Sequence, residues 1–110
     1  MNVVKVRELE VYESNGRKPF DTWLTRIKDR IAKARILKRL DQASEGNFGK
    51  YRYLGEIYEL KENYGPGYRI YLAINKDRVL LLLLGGDKST QTGDIEKARE
   101  FYREYKTRRK

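Results

Sequence analysis

A chain of 110 residues can build one hydrophobic core but not two, and 39% apolar beside 37% charged residues describes a folded domain rather than a disordered segment. Neither cysteine nor histidine is present, which excludes disulfides, thiolate metal sites and imidazole acid–base chemistry, so no metal and no cofactor is expected. A net charge of +9 bears on partners rather than on fold: nucleic acid, an acidic protein or an anionic membrane would each satisfy it.

The first stretch, Val3 to Tyr12, alternates imperfectly and is β-branched early, which predicts a strand. Ser14, Asn15 and Gly16 make a turn, and Pro19 suits the first turn of a helix whose Phe20, Trp23, Leu24 and Ile27 share one face. A second helix carries Ile31, Ala34, Ile36 or Leu37, and Leu40 at helical spacing up to a stop at Glu45, Gly46 and Asn47. Both helices are rich in Lys and Arg, a face that suits solvent, RNA or an acidic partner.

From Phe48 the period changes to two. Strands are predicted over Tyr51–Leu54, Glu56–Glu62, Tyr68–Ile74 and Arg78–Leu84, with turns at 63–67 and 75–77. The continuous leucines mark a strand buried on both faces and therefore interior to its sheet. Asp94 would cap a last helix through Tyr105, ahead of a frayed basic tail over 107–110. The predicted fold is a single α+β domain over residues 1–110: β-α-α, then an antiparallel twisted sheet and a C-terminal helix, with the helices on one face. The N-terminus lacks an apolar signal core, and the longest apolar run, Val79 to Leu84, is too short to span a bilayer. A soluble cytoplasmic protein without a membrane partner is expected.

The run LLLLLGGDKSTQTGDIEKA, Leu80 to Ala98, has the look of a nucleotide-binding loop. Such a loop needs Gly immediately before its Lys, so that the backbone wraps the phosphates. Here Asp87 stands there, the first glycine is missing at its proper distance, and the reading fails. What remains is a Gly-Gly-Asp-Lys turn after a strand, suited either to one phosphodiester or only to glycine geometry.

The hairpin about Gly65 is more informative. Symmetric pairing sets Lys61 opposite Arg69 and Glu59 opposite Tyr71, all four on one face, with Tyr58, Leu60, Ile70 and Leu72 on the other. Like charges opposed across a pair are destabilising, unless an anion lies between them or the side chains splay apart.

At YELKENYGPGYRIYLAI, Tyr58 to Ile74, and at Leu80 to Ala98, the chain resembles the RelE/ParE superfamily of bacterial toxins. The closer match is to its HigB-like addiction module killer branch, whose pattern runs Y-E-L-R, G-P-G-Y-R-[VI]-Y, then L-L-x-G-G-D-K-x-x-Q-x-x-D-I-x-x-A. The likeness covers nearly the whole chain and differs at Lys61, where the branch often has Arg. It implies the toxin of a type II toxin–antitoxin pair. Such a toxin is an mRNA endoribonuclease, commonly ribosome-dependent, that drives the RNA 2′-hydroxyl onto the adjacent phosphate and so inhibits translation. Arg69 then corresponds to the Arg of the G-Y-R motif, Lys61 to the strand cation before the turn, and Lys88 to the basic residue after the last strand.

In-line attack also needs a base, charge stabilisation and an acid. Arg69 suits the stabiliser and Glu59 or Lys61 the base, while Lys88 would orient the phosphate or assist the leaving group, and Tyr68 or Tyr71 would stack a base or donate a proton. Tyr68, Tyr71, Lys50, Arg52 and Gln91 are the expected RNA contacts. The expected partners are mRNA, the ribosome and a helix-turn-helix antitoxin in a hetero-oligomer. The antitoxin would meet the basic helices through Arg30, Arg35 or Arg39, or the last helix through Phe101, Tyr102 and Tyr105. A gyrase inhibitor without nuclease activity, or a non-catalytic RNA-binding module, are the alternatives.

Overall fold

The computed structural model describes residues 6–108. In chain order these form β1 (Glu8–Val11), α1 (Pro19–Arg26), α2 (Arg30–Ser44), β2 (Tyr51–Tyr53), β3 (Tyr58–Glu62), β4 (Tyr68–Asn75), β5 (Val79–Asp87), a 3-10 turn (Lys88–Thr90) and α3 (Gln91–Arg108). The predicted order holds. Residues 3–5 of the expected first strand and 109–110 of the expected tail lie outside the described residues.

The local chemistry of each helix is plain. Pro19 opens α1, which stops where Ile27 turns extended at φ −72° and ψ 121°. Asp29 caps α2, its carboxylate accepting from the Ile31 and Ala32 amides at 2.9 and 3.2 Å. The expected inner face of α2 holds at Ile36 and Leu40 but not at Ile31 or Ala34. Ala32, Ile36, Leu40 and Ala43 are buried, while Ala34 is exposed and Ile31 and Leu37 stay 57% and 52% exposed. Small alanines stand at both ends of the buried face of α2. The helix also turns Arg39 inward, where the guanidinium donates to the carbonyls of Lys61, Phe48 and Lys50.

The sheet order is β1-β5-β4-β3-β2. Three of the four pairings are antiparallel, but β1 runs parallel to β5, with Glu8 beside Val79 and Val11 beside Leu82. The sheet is therefore mixed: after α1 and α2 the chain enters β2 running opposite to β1, and the three reversals that follow bring β5 parallel to β1. The helices also occupy both faces, not one. α1 and α2 pack with Leu60, Ile70, Leu72, Leu80 and Leu82, whereas Ala98, Tyr102 and Tyr105 of α3 pack with Ile57, Tyr71, Ala73, Leu81 and Leu83. This two-sided cover is why β4 and β5 carry nearly unbroken apolar runs.

The glycine pair belongs to β5, not to a turn after it. A register shift opposite Tyr71 and Leu72 sets Leu83 and Leu84 both toward α3, so Gly85 meets α1 and Gly86 meets α3. A Cβ on Gly85 would overlap the Trp23 ring, and one on Gly86 would overlap the Asp94 carboxylate. The pair is thus required by helix approach on the two faces. Asp94 lies within α3 rather than capping it; it accepts from the Thr90 hydroxyl. The cap at this junction is Asp87, whose carboxylate accepts from the Ser89 amide at 2.8 Å.

Candidate functional site

The β3–β4 register is the one expected from the turn: Lys61 faces Arg69, and Glu59 faces Tyr71. Tyr51 pairs with Leu60 and the Lys61 amide donates to the Lys50 carbonyl at 2.9 Å, so the row continues one strand further. Lys50, immediately before β2, Lys61 of β3 and Arg69 of β4 therefore form one row, ending at Gly86 of β5. Lys88 closes it. A Cβ on Gly67 would lie 3.4 Å from Arg69 Nη1 and 3.8 Å from the Lys88 Cβ, which puts the Arg69 guanidinium and the root of the Lys88 side chain beside the Gly67 backbone. Gly67 has φ +80°, the left-handed conformation that lets the turn come this close.

Arg69 is only 8% exposed, so it does not stand free on an open sheet face as expected; the start of α3 and its turn cover it. Its Nη1 donates to the Gly67 and Tyr68 carbonyls at 3.1 and 3.3 Å, and its Nε is buried without a partner. A guanidinium held this way keeps a donor in reserve.

The next row is Arg52, Glu59 and Tyr71. Glu59 is fully buried: Oε1 accepts from Arg52 Nε at 3.0 Å, and Oε2 from the Tyr71 hydroxyl at 3.1 Å and Gln91 Nε2 at 2.7 Å. Burial is the largest influence and pushes its carboxyl upward, yet the bonds from Gln91, Arg52 and Tyr71 together hold it below the ordinary range. Burial, with the Glu59 charge beside it, pushes the Tyr71 hydroxyl far upward, so it stays a donor. Glu59 is thus a buried anchor, and what it fixes toward solvent is Arg52, whose side chain is 46% exposed.

Seven of the expected residues therefore come together: Lys50, Lys61, Arg69 and Lys88 in the cationic row, with Glu59 beside it anchoring Arg52 and Gln91. Two tyrosines need correction. Tyr71 is fully buried beneath α3 and cannot stack on a base. Tyr68 alternates to the opposite face and packs edge-on against Trp23, with centroids 6.2 Å apart. The proposed partner surface on α3 is also revised: Tyr102 and Tyr105 are core, and Phe101 stacks on Tyr12 at 4.9 Å. On α2, Arg39 is consumed internally, and Arg35 pairs with Glu62 at 3.7 Å while lying over the Tyr64 ring. Asp87 and Thr90 were missed as a capping box, although their three-residue spacing before a helix is its signature.

A cleft of about 700 Å³ lies along the other edge of β5, beyond the end of β1, lined by Trp23, Pro19, Gly85 and Asp94 among others. Neither Arg69 nor Lys61 reaches it. Around the covered Arg69, the exposed side chains of Lys50, Arg52 and Lys88 stand on the surface and not in an enclosed cavity, which suits a polymer backbone rather than a small molecule. Among the described residues no group of three or more acidic, His or Cys side chains could hold a metal, and no helix is long and apolar enough to cross a membrane.

No protein-family model matches the chain, and no solved structure matches it. An uncharacterized protein of Haemophilus influenzae (strain ATCC 51907 / DSM 11121 / KW20 / Rd) is 43% identical over 81 residues, which cover 73% of this chain and 82% of the relative. At that identity and coverage, the chain belongs to the family of the Haemophilus influenzae protein.

Proposed function

We propose that this chain is the toxin of a type II toxin–antitoxin pair, of the RelE/ParE superfamily and its HigB-like branch, acting as an endoribonuclease on ribosome-bound mRNA. The observation that carries the reading is the row Lys50, Lys61, Arg69, closed by Lys88 and flanked by the anchored Arg52. Side by side, such cations repel one another; a phosphodiester laid across them relieves that repulsion.

In the reaction, the 2′-oxygen bonds to phosphorus and the bond from phosphorus to the 5′-oxygen breaks, leaving a 2′,3′-cyclic phosphate and a 5′-hydroxyl. Arg69 faces the charge that develops on the phosphoryl oxygens; it never gives up its proton. Lys61, beside Arg69 in the row, is the group that takes the 2′ proton. Glu59 is the poorer base, since both its oxygens already accept bonds. Lys88 supplies a proton to the departing 5′-oxygen, and its exposure at the end of the row suits exchange with water. The partner antitoxin is a helix-turn-helix protein whose acidic groups meet Arg30 on the outer face of α2.

Expression of the chain alone in bacteria, with mapping of RNA 5′ ends, tests this. Growth arrest with new 5′-hydroxyl ends in messages is expected. Unchanged growth at good soluble yield removes the toxin reading, and arrest with broken DNA but intact messages replaces it with gyrase inhibition.

A further inference from the structure

The edge strand β2 is unusual in exposing all three of its residues, Tyr51, Arg52 and Tyr53. Tyr51 and Tyr53 are 50% and 60% exposed, large aromatic surfaces on a strand whose outer side has no neighbour in the sheet. They do not wave freely. Tyr53 packs on Tyr58 at 4.8 Å between centroids, Tyr51 packs on Phe48 at 5.5 Å, and Phe48 packs on Tyr58 at 5.2 Å, with Tyr58 set against the core. The Tyr53 hydroxyl donates to the Gly55 carbonyl, which ties down its far end as well. Two half-exposed rings are thus held rigid by two half-buried ones, and little rotamer entropy remains to be lost when something flat stacks on them.

We infer that β2 is a base-stacking platform for single-stranded RNA, with Tyr51 and Tyr53 supplying the rings. This rests on the RNA reading above and extends it to a face of the sheet that the cationic row does not occupy. Tyr51 and Tyr53 share the face of their partners Leu60 and Tyr58, while Arg52 shares the face of Glu59 and Lys61. An RNA strand following this edge would lay bases on one side and meet the Arg52 guanidinium and Lys50 with its phosphates on the other. The tyrosines are two strand positions apart, roughly 6.8 Å. That is about twice the ~3.4 Å rise per nucleotide of a stacked strand, so the platform suits an extended, unstacked chain.

A protein strand is the weaker occupant. The segment Gly49–Gly55 reads GKYRYLG, with two cations, two tyrosines and no carboxylate. Its strand is three residues long and is bounded by glycines at φ +58° and +99°, which leaves too short an edge for strand addition. Aromatic rings interleaved with cations on a short edge are the requirements of nucleobase stacking with phosphate contact.

The test is fluorescence-anisotropy titration of the full chain with a labelled single-stranded RNA of about ten nucleotides, a length within the range covered by known single-strand binding surfaces. The doubly substituted Tyr51→Ala/Tyr53→Ala chain is expected to bind roughly 10- to 100-fold more weakly, with the same salt dependence, because bases and not phosphates lose contacts. Tyr51→Phe/Tyr53→Phe keeps the rings and is expected to bind like the unsubstituted chain; circular dichroism establishes that each variant is folded. Unchanged RNA affinity in the alanine variant overturns the platform while leaving the RNA reading intact. Unchanged RNA affinity with weakened antitoxin binding overturns it in favour of a protein interface. An unsubstituted chain that binds no RNA overturns both.

Discussion

Glu59→Gln preserves volume and removes one charge at a site where three donors meet two oxygens. An amide has a single acceptor oxygen. Keeping the Tyr71 and Gln91 bonds to it turns the new NH2 toward Arg52 Nε, donor against donor. Arg52 is half exposed, so it swings into water instead of suffering the clash. Hydrogen bonds to a charged group contribute about 1.5–3 kcal/mol each; one is lost and two become neutral, offset in part because a buried amide costs less to desolvate than a buried carboxylate, so the expected cost is about 2–4 kcal/mol. At roughly 4 °C per kcal/mol for a domain of this size, the melting temperature at pH 7 should fall by about 8–16 °C.

The pH dependence should change in a defined direction. The Glu59 carboxyl is held below its ordinary value, so the unfolded chain binds more protons than the folded one as acid is added. Its contribution is complete above the ordinary value of 4.5 and disappears as pH falls through the lower folded value. Glu56 and Asp87 are also held low, by the Arg103 hydrogen bond and by Ser89 respectively, so glutamine should flatten the acid limb without abolishing it. Urea unfolding of both chains from pH 7 to pH 3 measures this. A variant that melts within about 2 °C of the parent at pH 7 and loses stability in parallel with it in acid would refute the anchoring role of Glu59.

Gly85→Ala drives a methyl into the Trp23 ring and should cost about 1–3 kcal/mol, more than Gly86→Ala, where the Asp94 carboxylate can turn aside. A cycle with Trp23→Ala should recover most of that cost, and additive effects would exclude the contact as its cause. Arg69→Ala should lower RNA cleavage roughly 100- to 1,000-fold, and full activity would remove Arg69 from the site. Because Arg69 is buried with an unpartnered Nε, its thermal stability must be measured beside its activity. Antitoxin association should slow as salt rises while dissociation changes little, since exposed cations such as Arg30 steer encounter; a salt-independent on-rate in stopped-flow measurements would contradict this.

Much of the fold could be read locally, because local chemistry decides it. Pro19 starts α1, the loop about Gly65 sets the hairpin register, and that register alone puts Lys61 beside Arg69 and Glu59 beside Tyr71. Alternation states which residues share a face, but not what covers the face. Only the packing of α3 decided that Arg69, Glu59 and Tyr71 are buried, turning Glu59 from a surface carboxylate into an anchor and removing Tyr71 from any contact with a base. Only the tertiary fold decided that β1 pairs in parallel with β5 and that α3 covers the face opposite α1 and α2. The glycine pair carries the same lesson. Its reason is neither phosphate nor turn but two helices arriving from opposite faces at adjacent residues of β5, a coincidence of distant segments that no local pattern encodes.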